Sequence, residues 1–197
     1  DGSSKTFEEH WNSQKMKDLR VKMLEGRLDE TICRNCINCN NTEVPYYVWQ
    51  NFKAEPFVEE ILKKTSITGK TTYLPRTLDI RTDLCNLKCR MCSDSASTSI
   101  RQERIKAKIK VIPRGDLVGV EDMITDEHAS ILTQLTWAGG EPFMSPIHWK
   151  IMDQLLRLGN TGVNLFYNSN MTFPGNTLQK SVDLLQKFPD VVISASL

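Results

Sequence analysis

The sequence predicts an α/β fold in which a parallel sheet follows a small helical module that contains cysteines. Four short apolar segments of strand length alternate with segments of helical composition over the second part of the chain. Strands joined by helices in this way pair in parallel through right-handed crossovers. Glycine and polar residues follow the strand segments, where parallel sheets gather their binding groups. The six cysteines form two tight clusters.

Composition narrows the class of protein. The chain has 197 residues, enough for one domain and a smaller module, and is 40% hydrophobic and 25% charged. A net charge of +1 provides no overall electrostatic attraction to nucleic acid. No apolar run approaches the ~18 residues that a membrane-spanning helix needs. We therefore expect neither a membrane nor a nucleic acid as partner. Because the chain begins at Asp1 and ends within the apolar run at 191–197, we also expect a fragment of a longer polypeptide.

Residues 1–70 form the predicted helical module. Thr6 can cap a helix that ends at Gly26, and apolar residues recur between them at multiples of four. The other predicted elements are a first cysteine loop at 31–45, an aromatic stretch at 46–52, a short helix at 56–64 and a linker at 69–75.

Residues 71–197 form the predicted sheet module. Leu78 and Ile80 alternate with polar residues in its first strand, and Gly159 closes a helix that begins at Pro146. The predicted strands lie at 78–80, 132–137, 163–167 and 191–196. The predicted helices lie at 97–110, 146–158 and 177–188, with a further helix or turn from residue 121.

A second cysteine loop, residues 85–92, carries Cys85, Cys89 and Cys92 with the spacing C-x3-C-x2-C and no fourth cysteine close behind. A 4Fe–4S cluster usually takes four thiolates, so three would leave one iron with the open position of a catalytic metal site. The alternatives are a zinc knuckle or buried free thiols, but zinc loops favour paired C-x2-C units. Cysteines this close in sequence chelate metals more readily than they form disulfides between distant elements. Because thiols stay reduced in the cytoplasm, this pattern predicts a cytoplasmic protein.

Polar and glycine residues after the later strands should lie at the same sheet edge as this loop. The candidate ligand-binding residues are Gly139, Gly140, Glu141, Pro142, Ser169, Asn170 and Ser196. Glycines without side chains let a backbone approach a ligand closely, while Glu141 offers an acceptor and Pro142 stiffens the turn. Ordinary turn chemistry also explains the asparagine and the serines.

Several motifs together match one known enzyme family. They are Leu78-Asp79-Ile80-Arg81 before Cys85-Asn86-Leu87-Lys88-Cys89-Arg90-Met91-Cys92, then Trp137-Ala138-Gly139-Gly140-Glu141-Pro142, Asn168-Ser169-Asn170 and Ser194-Ala195-Ser196-Leu197. Over residues 76–197 the chain thus resembles the radical S-adenosylmethionine (radical SAM) enzymes. The segment at 11–24, followed by cysteines, is similar to the subgroup with a twitch or SPASM-type auxiliary region. Met91 departs from the aromatic residue usual in the family.

The resemblance implies a partial (β/α) barrel of six units, of which about four fit into this chain, truncated at its carboxyl end. It implies that the open iron binds the amino and carboxylate groups of S-adenosylmethionine, whose reductive cleavage releases methionine and a 5′-deoxyadenosyl radical that abstracts a substrate hydrogen. The segment from Gly139 to Pro142 would bind the ammonium group of S-adenosylmethionine. Its carboxylate or ribose would contact Ser169, Asn170 and Ser196. A flavodoxin or ferredoxin would be the reductant, and a peptide or protein a possible substrate class.

The first cysteine loop predicts an auxiliary metal site. Cys33, Cys36 and Cys39 match the start of the bacterial ferredoxin run, but Glu43 stands where the fourth cysteine would fall. The loop therefore holds an auxiliary iron–sulfur cluster, with a ligand from a missing upstream segment, or zinc, or is partly unoccupied.

A basic run lies at 101–110, where isoleucines interleave with Arg101, Arg104, Lys106, Lys108 and Lys110. A solvated helix face is its ordinary interpretation, and docking of an acidic peptide or nucleic acid is the alternative. For the whole chain, two function classes compete with a radical SAM enzyme. They are an iron–sulfur electron-transfer module and a zinc-stabilised interaction domain, both without catalysis.

Overall fold

The computed structural model describes residues 6–27, 30, 57–112, 123–172 and 175–196. The chain divides into two compact units, Asp1–Leu74 and Pro75–Leu197. The first cysteine loop, with Cys33, Cys36 and Cys39, lies outside the described residues, as does the aromatic stretch at 46–52. Within the described ranges, no helix has the length and apolar character that crossing a bilayer requires.

The first unit contains the helices α1 (Phe7–Trp11), α2 (Gln14–Leu24) and α3 (Phe57–Lys64). Thr6 begins α1 with a capping box, in which its side chain and that of Glu9 each accept from the other's backbone N–H. The single helix predicted over 6–26 is instead two helices. The helix breaks at Ser13, whose ψ of 156° is extended. The side chain of the preceding Asn12 forms two 2.9 Å hydrogen bonds with the backbone of Thr71, which stabilise this break.

The segment after α3 packs against α2 instead of forming the linker predicted at 69–75. Thr65 and Thr71 form an antiparallel bridge, and Gly69 makes the turn between them. Gly69 has a φ of +76°, and a Cβ atom there would lie 2.3 Å from the carbonyl oxygen of Lys17. Only glycine permits both the turn and this close packing.

The second unit consists of a four-stranded parallel sheet with the strand order β1-β2-β3-β4. Its strands are β1 (Thr77–Thr82), β2 (Gln134–Gly139), β3 (Asn164–Ser169) and β4 (Val191–Ala195). Its helices are α4 (Thr98–Lys106), α5 (Asp126–Ile131), α6 (Pro146–Arg157) and α7 (Thr177–Leu185), with a 3₁₀ turn at Pro142–Met144. The predicted α/β fold with four parallel strands is confirmed, and β4 lies at an edge of the described sheet.

The core lies on one face of this sheet. Alternate residues of β2 and β3 are buried there, as the period of a strand requires. They pack in one cluster with the apolar stripe of α6. The fully buried side chains of this cluster include Leu135, Trp137, Leu165, Tyr167, Ile151, Met152 and Leu155. Because every strand is parallel, the segments that leave β1, β2 and β3 emerge at the same edge of the sheet.

Candidate functional site

The second cysteine loop and the double glycine start from adjacent strand ends. Thr82, the last residue of β1, pairs in register with Gly139, the last residue of β2. The backbone N–H of Gly140 donates to the Thr82 carbonyl oxygen, and that of Glu141 donates to the Leu84 carbonyl oxygen at 2.7 Å. The two predicted motifs therefore lie side by side, joined by backbone hydrogen bonds.

The two glycines are required by the close approach of the backbone that leads from β1 into the second cysteine loop. Gly139 has a φ of +96°, and a Cβ atom there would lie 2.1 Å from the Thr82 carbonyl oxygen. A Cβ atom on Gly140 would lie 2.4 Å from the Leu84 carbonyl oxygen. The close backbone approach that the sequence predicts for a ligand is thus made first of all by the chain's own backbone.

Glu141 is a fully buried carboxylate at the centre of this edge. Its oxygens accept from the Ser169 hydroxyl at 2.9 and 3.1 Å and from the Asn170 N–H at 2.8 Å. The Phe143 N–H donates to it at 3.3 Å. Through these hydrogen bonds the Glu141 side chain joins the ends of β2 and β3. We call Glu141, Phe143, Ser169 and Asn170 the Glu141 cluster.

The thiols of the second cysteine loop are free, with Cys85 half-buried and Cys89 and Cys92 exposed. The Leu87 N–H donates to the Cys85 sulfur at 3.4 Å. Partial desolvation, with the neighbouring thiols of Cys89 and Cys85, raises the pKa of the Cys92 thiol. Ionisation of the Cys92 thiol is therefore disfavoured in the chain alone, and a bound cation would favour it.

Asn170 links the Glu141 cluster to the second cysteine loop. Its side-chain amide donates to the Cys85 sulfur at 3.7 Å and to the Asn86 side-chain oxygen at 3.1 Å. Asn86 in turn donates to the Thr172 hydroxyl at 2.9 Å, and the Thr172 N–H donates back to the Asn170 side chain at 2.9 Å. This ring of hydrogen bonds fixes the amino-terminal end of the loop against the end of β3.

The start of α4 supports the loop from its other side. The Ser99 hydroxyl donates to the Cys85 carbonyl oxygen at 2.8 Å, and the Ser97 hydroxyl donates to the Leu87 carbonyl oxygen at 2.9 Å. The Thr98 N–H donates to the Asp83 carbonyl oxygen at 2.8 Å. Sequence reasoning missed these hydroxyl groups, for which the only signal is the Ser-Thr-Ser run at the predicted start of the helix.

The remaining predicted ligand residues occupy different positions at this edge. Pro142 is buried in the 3₁₀ turn. Ser196 is exposed, and its backbone N–H donates to the Ser169 carbonyl oxygen at 2.8 Å. The structure therefore gathers Gly139, Gly140, Glu141, Ser169, Asn170 and Ser196 with the second cysteine loop at one edge.

The donor chemistry of the edge fits an iron–sulfur cluster. It combines three thiols on one short loop with N–H groups that donate to the Cys85 sulfur, the features that hold and tune such clusters. Among the residues that the structure describes, no group of three or more His, Cys, Asp or Glu side chains is arranged to hold a single metal ion.

Comparison of the chain with protein-family models, with curated proteins and with solved structures finds no significant match.

Proposed function

We propose that this chain is the core of a radical S-adenosylmethionine enzyme. The observation that carries the proposal is the position of Cys85, Cys89 and Cys92, on a loop that leaves β1 directly beside the double glycine that ends β2. Three thiols and no fourth on this loop match a 4Fe–4S cluster with one iron left open. When bound, that cluster would supply one electron to cleave the sulfonium of S-adenosylmethionine.

The residues around the loop would position the cluster and adjust its potential. The N–H donors of Leu87 and Asn170 would stabilise charge on the Cys85 thiolate, because hydrogen bonds to cluster sulfurs shift its reduction potential. Lys88 and Arg90 would offset the negative charge of the cluster from the exposed side of the loop.

The Glu141 cluster would hold the ligand-binding edge in shape. Since the Glu141 carboxylate and the Ser169 hydroxyl bind each other inside the protein, we assign both to positioning rather than to ligand contact. Ligand contacts would then fall to the backbone of Gly139 and Gly140 and to the side chain of the exposed Ser196.

The proposal includes the wider context that the resemblance implies. The four parallel strands would be part of a six-unit partial barrel, and the loop of Cys33, Cys36 and Cys39 would hold an auxiliary iron–sulfur cluster or zinc. The enzyme would act in the reducing cytoplasm, on a peptide or protein, with a flavodoxin or ferredoxin as reductant.

The test is anaerobic reconstitution of the chain with iron and sulfide, followed by reduction in the presence of S-adenosylmethionine. We expect methionine and 5′-deoxyadenosine as products, and neither from the variant with Cys85, Cys89 and Cys92 replaced by alanine. Iron and sulfide without cleavage would instead indicate an electron-transfer module. Zinc without iron would indicate a zinc-stabilised interaction domain.

A further inference from the structure

The exposed half of the second cysteine loop ends at a buried charge. All six residues from Lys88 to Ser93, Cys89 and Cys92 among them, are exposed, and Asp94 is the first buried residue after them. The side chain of Asp94 is only 3% exposed. A carboxylate loses its hydration when it is buried and therefore needs partners within the protein. The partners of Asp94 thus decide where the carboxyl end of the loop lies.

Three groups from α4 and the segment after it surround the Asp94 carboxylate. The Ile112 N–H donates to it at 2.6 Å. The guanidinium nitrogens of Arg101 and Arg104 lie 3.7 and 3.8 Å from its oxygens. Asp94 therefore joins the carboxyl end of the second cysteine loop to α4 and to the segment that follows α4. We call Asp94, Arg101 and Arg104 the Asp94 triad.

The two arginines of the triad also fix the segment that follows α4. This segment turns back at Lys108, whose φ of +57° lies in the left-handed region. The Arg101 guanidinium donates to the Ile112 carbonyl oxygen at 2.7 Å. The Arg104 guanidinium donates to the Lys110 carbonyl oxygen at 3.0 Å. A movement of α4 or of this segment would therefore break charge-assisted hydrogen bonds, which are stronger than neutral ones.

The two ends of the second cysteine loop are thus held by different groups. The sulfur of Cys85, at the amino-terminal end, accepts from the Asn170 amide. At the other end, the Cys92 N–H donates to the Cys89 carbonyl oxygen at 3.0 Å, a hydrogen bond within the loop itself. Asp94 follows Cys92 by two residues, at most about 7 Å along the chain, and attaches this end to the fold.

The charges of the triad favour a role at the site over a role in stability alone. A buried ion pair often adds no more net stability than apolar side chains of similar volume would. The triad holds one carboxylate and two guanidinium groups, so it leaves one positive charge beside the loop. Positive charge near cysteines stabilises their thiolates, and nearby charge shifts the potential of an iron–sulfur cluster.

We propose that Asp94 is a positioning residue that orders the Cys92 end of the second cysteine loop, through Arg101 and Arg104, before any metal binds. Groups that orient the ligands of a metal in this way raise the affinity of the site. The net positive charge of the triad would in addition favour the reduced form of the cluster. This second effect rests on the proposed function, whereas the ordering of the loop is a property of the chain without metal.

The first experiment measures amide hydrogen exchange in the metal-free chain. It compares Asp94→Ala with Lys106→Ala, the matched control at an exposed residue of α4 outside the triad. We expect the amides of Cys92 and Ile112 to exchange about tenfold faster or more in Asp94→Ala, because the carboxyl end of the loop opens locally. The Thr98 amide, which holds the other end, should keep its rate. The control should match the wild type at all three amides.

Two results of this experiment would overturn the proposal. One is an unchanged exchange rate at Cys92. The other is an equal acceleration at Thr98, since Asp94 would then support the whole unit and not one end of the loop. Should Asp94→Ala fail to fold, Asp94→Asn serves in its place, because an amide of the same shape does not attract the two guanidinium groups.

The second experiment measures the reduction potential of the reconstituted cluster. Asp94→Asn leaves one more positive charge and should favour reduction by about tenfold, which corresponds to ~59 mV for one electron. Arg104→Gln removes a positive charge and should shift the potential in the opposite direction. Lys106→Gln, the control, should leave it within error. A purely structural role would not give shifts of opposite sign.

The two experiments keep the hypotheses apart. A chain that takes up no iron contradicts the proposed function, while hydrogen exchange still decides whether Asp94 orders the loop. Iron-loaded Asp94→Asn and Arg104→Gln variants whose potentials equal that of the wild type, or shift in the same direction, would overturn the role of the triad's charge.

Discussion

The carboxyl edge of the sheet has two halves that differ in how far the chain satisfies its own polar groups. In the Glu141 cluster, the buried carboxylate accepts from Ser169, Asn170 and Phe143. In the second cysteine loop, by contrast, Cys89 and Cys92 expose free thiols, and partial desolvation together with the neighbouring thiols raises the pKa of Cys92. The carboxylate of the first half is hydrogen-bonded within the protein, whereas the thiols of the second half are free. This difference is what our proposal uses: the Glu141 cluster would hold the edge in shape, and the loop would supply the chemistry.

The largest effect should come from removing the thiols. The variant with Cys85, Cys89 and Cys92 replaced by alanine should lose about four irons per chain and the associated visible absorption. Its thermal stability without iron should change little, since two of these side chains are exposed. Met91→Ala in the same loop is the control and should keep the iron. Equal iron in the triple variant would contradict the assignment.

Gly140→Ala should damage both halves at once. The new Cβ atom would lie 2.4 Å from the Leu84 carbonyl oxygen, and backbone cannot yield as a flexible side chain does. We expect a loss of about 3 kcal/mol or more in the free energy of unfolding, measured by urea denaturation. Gly162→Ala, where a Cβ atom meets nothing within 4 Å, is the matched control. A Gly140 variant as stable as this control would mean that the strand ends are not joined as described.

Glu141→Gln should affect the shape of the edge more than its chemistry. An amide cannot accept all the donors that the carboxylate accepts, so we expect a loss of about 2–3 kcal/mol in unfolding free energy. Glu127→Gln, on the exposed side of α5, should stay within ~0.5 kcal/mol of the wild type. If the Glu141 variant kept its stability but could not bind S-adenosylmethionine, Glu141 would be a ligand contact instead.

The pH dependence of stability should report the core beneath the Glu141 cluster. Phe143 stacks on Tyr167, whose hydroxyl lies 2.9 Å from the buried His148 ring nitrogen. Burial, and to a smaller extent the charge of Lys180, lowers the pKa of His148 to about 3. The unfolded chain, with an ordinary histidine pKa of ~6.5, then binds this proton first as the pH falls. Stability attributable to His148 is therefore present above pH ~6.5 and is lost between there and pH 3, by ~1.4 kcal/mol per pH unit.

Urea unfolding at a series of pH values checks this slope. His148→Gln should make it shallower, because no group titrates at that position, while the buried His128, whose pKa desolvation also lowers, still contributes. Tyr167→Phe removes the hydrogen bond but keeps the histidine, so its stability should fall by about 1 kcal/mol with the slope retained. An unchanged slope in the His148 variant would refute the explanation.

The smallest effect should come from the residue that links the two halves. Asn170→Leu removes the N–H that donates to the Cys85 sulfur at 3.7 Å. We expect the reduction potential of the cluster to become more negative by on the order of 40 mV, the one-electron equivalent of a hydrogen bond of ~1 kcal/mol. Thr172→Ala keeps that N–H and should leave the potential within error, as measured by a redox titration followed by electron paramagnetic resonance. Identical potentials in Asn170→Leu and the wild type would show that this contact does not tune the cluster.

Sequence patterns could predict the features of the fold and the site that depend on residues close together in the sequence. Strand segments and the spacing of Cys85, Cys89 and Cys92 are local, and parallel strands bring their carboxyl ends to one edge by topology. The break after Asn12 could not be predicted, because its partner Thr71 lies 59 residues away. The burial of Glu141 likewise depends on donors from the end of β3, 28 and 29 residues later.

The roles of the polar residues at the site depend on contacts between residues that are far apart in the sequence. Asn170 meets the Cys85 sulfur 85 residues away, and nothing in the local sequence distinguishes it from an ordinary turn asparagine. The same holds for Gly139 and Gly140. The double glycine indicates that another group approaches the backbone closely, but it does not identify that group. In the fold, the approaching group is the backbone of Thr82 and Leu84, just before the second cysteine loop.

The most direct test of the central claim is the electron paramagnetic resonance spectrum of the reduced, reconstituted chain with and without S-adenosylmethionine. If three thiolates leave one iron open beside Gly139 and Gly140, the spectrum should change when S-adenosylmethionine binds that iron. S-adenosylhomocysteine and the variant with Cys85, Cys89 and Cys92 replaced by alanine define the background. Identical spectra with and without S-adenosylmethionine, in protein that contains the cluster, would contradict the account.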